Sequence, residues 1–128
     1  MRLLLDSNTF LWSGMESRRI SGPAQAILDD LDNDLLLSSV TPWELGIKVA
    51  RKKLVLPPDL PRFVMTTMAN LELSELPVTI VHAYRSAELP LIHGDPFDRM
   101  LVAQALVEGI PIVSSDRRLS QYGVAVIW

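Results

Sequence analysis

Arg2-Leu3-Leu4-Leu5-Asp6-Ser7 sets an unbroken apolar run directly before a carboxylate and a helix-capping hydroxyl. A short continuous apolar run predicts a strand buried on both faces. The pattern returns at Leu35-Leu36-Leu37 and at Ile110-Pro111-Ile112-Val113, and residues 124–127 predict a last strand. Glu75-Leu76-Pro77-Val78 predicts an edge strand, because proline cannot donate to a central ladder. Helices fall between them. Ser7 is expected to cap a short one through Trp12, and Ser21-Gly22-Pro23 to open another to about Asp32, with Ala26, Ile27 and Leu31 on one face. Thr41-Pro42 opens a third to about Lys52, with Leu45, Val49 and Ala50 turned inward. After the break at Pro57-Pro58, Asp59 caps a long helix carrying Leu60, Phe63, Val64, Thr67, Met68 and Leu71 at helical spacing. Residues 79–89 form the next helix, Asp95-Pro96 opens one that Gly109 closes, and residues 117–121 make a single turn. Strands alternating with helices imply βαβ units and a parallel sheet covered on both faces, an α/β class.

A chain of 128 residues is one domain, residues 1–128, with no internal repeat or linker. The absence of cysteine excludes disulfide scaffolds, thiolate zinc sites and cysteine nucleophiles. No apolar run approaches the roughly 20 residues that span a bilayer, so no membrane partner is expected. The opening apolar stretch is too short for a signal peptide, and a cytoplasmic location is expected. The net charge of −3 is unlike that of a phosphate binder. Setting aside Asp6, Glu44, Asp98 and Asp116 turns −3 into +1, so charge decides nothing about a phosphate partner.

Those four acids occupy telling positions. Asp6 and Asp116 follow strand-like runs, whereas Glu44 and Asp98 lie three residues after Thr41 and Asp95, residues that cap helices. Each has a plain alternative. Asp6 can be a turn or N-cap residue, Thr41-x-x-Glu44 is a capping-box pattern, and Asp116 can be a loop-start residue. In an open α/β sheet, strand carboxyl ends and helix N-termini share one edge, where ligands bind. Four acids gathered there repel unless a hard divalent cation holds them.

In order along the chain, several segments together resemble the PIN-domain nucleases, and within them the toxin ribonucleases of the VapC type. They are Arg2-Leu3-Leu4-Leu5-Asp6-Ser7, Ser39-Val40-Thr41-Pro42-Trp43-Glu44-Leu45-Gly46-Ile47-Lys48, Leu54-Val55-Leu56-Pro57, Asp95-Pro96-Phe97-Asp98-Arg99-Met100-Leu101-Val102-Ala103-Gln104-Ala105, Ile112-Val113-Ser114-Ser115-Asp116 and Val126-Ile127-Trp128. The resemblance implies a three-layer α/β/α fold with a central parallel sheet. It implies Mg²⁺- or Mn²⁺-dependent endonucleolytic cleavage of RNA, inhibition by a cognate antitoxin of the VapB type, and a homodimer. The family's acids fall on Asp6, Glu44, Asp98 and Asp116, with Asp95 assisting through water. Asp6 and Asp98 are expected as direct metal ligands, Glu44 and Asp116 as holders of water or a second ion, and Ser114 as a hydrogen-bond donor to a carboxylate. Ser7 and Ser114 stand where threonine is usual and keep the hydroxyl; Asn8 stands where histidine is frequent.

Lys48, Arg99, Arg117 and Arg118 are the cations nearest the acids and the candidates for phosphate contacts, although Lys48 can equally pair with Glu44. Arg51-Lys52-Lys53 reads as a solvated helix end. His82 and His93 are too isolated for a zinc site, and His82 reads as structural. Trp12, Phe63, Met65 and Met68 read as core; by resemblance they also suit an antitoxin groove. Two other functions compete. A catalytically silent PIN-like module that binds RNA or protein is opposed by the intact acid set. A phosphate-receiver domain would need paired acids after the first strand and a lysine after a late one.

Overall fold

The computed structural model describes residues 1–128. Five strands form one all-parallel sheet in the order β3-β2-β1-β4-β5: β1 (Arg2–Leu5), β2 (Asp34–Ser38), β3 (Ser74–Leu76), β4 (Ile112–Val113) and β5 (Val126–Ile127). Six α-helices cover it: α1 (Ser7–Met15), α2 (Gly22–Asp29), α3 (Val40–Ala50), α4 (Leu60–Leu71), α5 (Ile80–Glu88) and α6 (Pro96–Glu108). Short 3₁₀ turns occupy Ser17–Arg19 and Arg117–Tyr122. No helix is long and apolar enough to cross a membrane.

Strand pleating divides the core. Leu3, Leu5, Leu35 and Val113 face α2, where Ala24 and Leu28 meet them, while Leu4, Leu36 and Ile112 face Leu101, Val102 and Ala105 of α6. A third cluster joins Phe10 of α1, Leu37, Leu45 of α3, Leu56 and Phe63 of α4. The expected α/β/α layering follows.

Strand order positions the site. From β1 the chain steps outward to β2 and β3, then returns across the sheet to place β4 on the other flank of β1. Between β1 and β4 the order reverses, and in open parallel sheets such a switch opens a crevice beyond the strands' carboxyl ends.

Several local expectations are corrected. Asp6, not Ser7, caps α1, its Oδ1 accepting from the Thr9 amide at 2.8 Å. That helix runs through Gly14, where a Cβ would sit 2.6 Å from the Phe63 ring and from Thr67 Oγ1; glycine lets α1 press against α4. α2 ends at Asp29, leaving Leu31 beyond it and 86% exposed; its inward residues are Ala24 and Leu28 with Ile27 packed beside them as expected, and Ala26 faces solvent. In α3, Ala50 faces solvent. Met65 is 71% exposed, whereas Phe63 is core as expected. β4 is shorter than foreseen because the Ile110 amide donates to the Ala105 carbonyl in closing α6, and Pro111 has no amide proton. Gly109, at φ +66°, ends α6 in the left-handed region.

Candidate active site

Asp6 is the residue after β1, and Asp116 lies three residues beyond β4, so the two flank the switch point. Asp6 is only 6% exposed. While Oδ1 caps α1, Oδ2 accepts a short hydrogen bond from the Ser114 hydroxyl. Ser114 Oγ in turn accepts from the Asp116 amide at 3.0 Å, so one hydroxyl links the two acids' positions. Burial pushes the Asp6 carboxyl above its usual range, opposed by hydrogen bonds from Ser114 and Thr9 and reinforced by the charge of Glu44. The Thr9 hydroxyl donates to the Val113 carbonyl at 2.9 Å, pinning α1 to the end of β4.

Asp98 is the third residue of α6. Asp95 caps that helix, accepting from the Phe97 and Asp98 amides at 2.9 and 3.2 Å. The Asp98 carboxyl is pushed up to about 7, first by burial and then by the charges of Asp95, Glu44, Asp6 and Asp116. All the other acids of the predicted set act on this one side chain, which makes it the electrostatic focus of the site.

Glu44 does not close a capping box. α3 starts at Val40 rather than after Thr41, with the Ser38 hydroxyl accepting from the Val40 amide at 3.1 Å. Glu44 is therefore the fifth residue of its helix where Asp98 is the third, and the two are not in equivalent first-turn positions. Buried at 8% exposure, Glu44 accepts from Ser7 Oγ at 2.7 Å and pairs with Lys48 Nζ at 3.3 Å. The Ser7 hydroxyl also lies 3.3 Å from Thr41 Oγ1. Ser7 thus acts on Glu44 instead of capping its own helix.

Two arginines expected at phosphate take other roles. Arg99 donates to the carbonyls of Ser86, Leu89 and Pro90 at 3.1, 3.2 and 2.9 Å, tying the exit of α5 to the start of α6. Arg118 grips Asp116 with Nε and Nη2 at 2.9 and 2.8 Å, which holds the Asp116 carboxyl below its usual range. Three of the Arg99 N–H groups are thus spent on carbonyls rather than on phosphate. His82 is structural, its Nδ1 accepting from the Thr79 amide at 3.0 Å.

No three acidic or histidine side chains close on a common point as a ready ligand shell. The donors nonetheless suit a hard divalent cation: they are all carboxylate oxygens, and an ion such as Mg²⁺ keeps several waters and needs few protein ligands. Lys48 pairs with Glu44 and Arg118 with Asp116, whereas no ion pair reaches Asp6 or Asp98. The two acids lifted by burial are the two without a cation. A divalent ion fits that deficit.

Beside the acids stands a contact that reading by residue did not find. The rings of Trp43 and Phe97 meet edge to face, 5.2 Å apart at 79°. Its only trace in the sequence is that each aromatic immediately precedes a site acid.

Comparison with known proteins agrees with the geometry. Ribonuclease VapC22 of Mycobacterium tuberculosis is 26% identical over 121 residues, covering 94% of this chain and 91% of that protein. FitAcB from Neisseria gonorrhoeae superposes with a TM-score of 0.64 at 25% identity, covering 98% of this chain and 96% of that one. VapBC2 from Rickettsia felis, bound to a DNA fragment from its promoter, superposes with a TM-score of 0.70 over 99% and 98% of the two chains; at 13% identity it speaks for the fold alone. The PIN domain model matches residues 3–125, which hold four of the five strands and every acid of the site, and the chain belongs to the PIN-domain family.

Proposed function

We propose that this PIN domain is a divalent-metal-dependent endoribonuclease, the toxin half of a toxin–antitoxin pair. One observation carries the reading: near the β1/β4 switch, Asp6 is buried and Asp98 half-buried, and both carboxyls are raised and without a cation of their own. The ribonuclease name of its VapC relative from M. tuberculosis supports the chemistry, and the VapBC structures show this fold within toxin–antitoxin assemblies. Mg²⁺ is the proposed ion, with Mn²⁺ able to replace it. Asp6 and Asp98 would hold it, and Glu44 and Asp116 would complete the carboxylate set. When bound, the ion offsets the negative charge that builds on the phosphate oxygens during displacement.

The chain's own residues prepare that site. Ser114 fixes Asp6, Ser7 fixes Glu44, and Asp95 orders the first turn of α6 on which Asp98 rides. Lys48 sets a positive charge beside Glu44 at the rim, where a phosphate can exchange for the carboxylate. Single-stranded RNA is the proposed substrate, an antitoxin of the VapB type the proposed inhibitor, and a homodimer the proposed assembly.

The test is cleavage of single-stranded RNA by purified, antitoxin-free protein with Mg²⁺ or Mn²⁺, against EDTA and against Asp98→Asn. Cutting that needs the metal and is lost in Asp98→Asn is expected. Cutting that survives in EDTA sinks the metal-carboxylate chemistry. Wild-type protein that binds RNA but cuts none points instead to a silent binding module.

A further inference from the structure

Resting on the nuclease reading, we propose that the RNA strand leaves the acid cluster along α3. Arg51 and Lys53 carry its phosphates beyond Lys48, and the Trp43–Phe97 pair stacks one of its bases. A cleft of about 230 Å³ runs from Glu44 past Lys48 to Arg51 and Lys53, with Asp95 and Phe97 contributed by the start of α6. Glu44 and Lys48 share one face of α3 and Arg51, its C-cap, follows three residues on, so the three span about 10 Å at 1.5 Å per residue.

Backbone geometry adds the third cation. Lys52 adopts φ 58°, and the Lys53 amide donates back to the Lys48 carbonyl at 2.9 Å. The chain reverses there and returns Lys53 to the cleft instead of carrying it away. This is a common helix-ending turn; here its outcome is that Lys53 lines the cleft together with Lys48 and Arg51. Neither Arg51 nor Lys53 has an ion-pair partner, so both charges are available to an incoming anion. Trp43 is 64% exposed at the mouth of a carboxylate site, with Phe97 edge-on to its ring. A cationic groove beside an exposed aromatic ring is the arrangement by which proteins hold single strands without reading their sequence.

The experiment compares wild type, the double variant Arg51→Ala/Lys53→Ala, Trp43→Ala and Trp43→Phe. Cleavage kinetics on a short single-stranded RNA with Mn²⁺ are paired with binding of the same RNA in EDTA, where no cutting is expected, at several salt concentrations. In the double variant KM is expected to rise about tenfold at low salt with kcat kept. Its plot of log affinity against log salt should flatten by about 1.4, since each single-strand phosphate contact contributes about 0.7. Trp43→Ala is expected to weaken binding about tenfold, and Trp43→Phe to restore most of it. Unchanged KM and salt slope, in a wild type that does cut RNA, overturn the strand path and leave the nuclease reading standing. RNA that is neither cut nor bound by wild type overturns both. If RNA affinity is unchanged in the double variant while affinity for poly-glutamate falls, the cleft is a surface for an acidic protein and the proposal fails.

Discussion

Asp98 is neutral or charged according to its surroundings, and folding supplies those surroundings. Its carboxyl titrates near 3.8 in an ordinary setting and near 7 in the fold. As pH rises between these values the unfolded chain gives up the proton first, so the folded state is progressively disfavoured and the loss is complete above about 7. Asp98→Asn removes this liability. In EDTA, the variant's melting temperature should exceed that of wild type by several degrees at pH 8 and match it at pH 4; a difference that does not vary with pH contradicts the proposed environment of Asp98. Ser114 makes a second case. Its buried hydroxyl serves both Asp6 and the Asp116 amide, and Ser114→Ala should lower stability by about 1–3 kcal/mol in urea titrations. At this scale the identities of the acids were legible because carboxylates at strand ends and helix starts are conspicuous. The partners of Arg99 and Arg118 were not, since a cation's choice between a carbonyl, a carboxylate and a phosphate depends on which loops fold back on it.

Helix boundaries moved where capping chemistry moved. Asp6 caps α1 because its Oδ1 reaches the Thr9 amide, while the Ser7 hydroxyl is taken up by Glu44. α3 began before its proline because Ser38 satisfied the Val40 amide from one residue further back. The long α4 and α6 were read with their starts correct, as both open with Asp followed closely by proline. The α1–α4 contact was invisible in sequence: nothing local to Gly14 shows that Phe63 and Thr67 will lie against it. Gly14→Ala would gain about 1 kcal/mol of helix propensity and meet a clash of about 1–3 kcal/mol, so net destabilisation in chemical denaturation is expected. Arg99→Ala should expose the exit of α5, where three carbonyls lose their donor, and speed hydrogen exchange in residues 86–92 over that of the sheet.

For the molecule as a whole, class and layering were readable from alternating strands and helices, but strand order was not. Apolar runs say that strands are buried and leave open which neighbours they take. The order places β1 at the centre and brings Asp6 beside Ser114 across 108 residues of chain. A set of acids drawn from four separate elements cannot bind an ion before the sheet exists, so metal binding and global stability are linked. Saturating Mn²⁺ at about 100 times its dissociation constant should add about 2.7 kcal/mol to wild type and far less to Asp98→Asn. A thermal-shift titration decides it: equal shifts in both proteins would place the ion elsewhere.

The carboxylate of Asp6 has two duties, one on each oxygen: Oδ1 holds the first turn of α1, and Oδ2 receives Ser114 in the site. Asp98 has no structural duty of this kind, and its loss relieves the fold. A lineage freed from the need for the nuclease would therefore shed Asp98 early and keep Asp6 long after the activity had gone. In decayed copies of this gene, a surviving Asp6 is a record of folding alone, and Asp98 is the residue that reports whether the enzyme is alive.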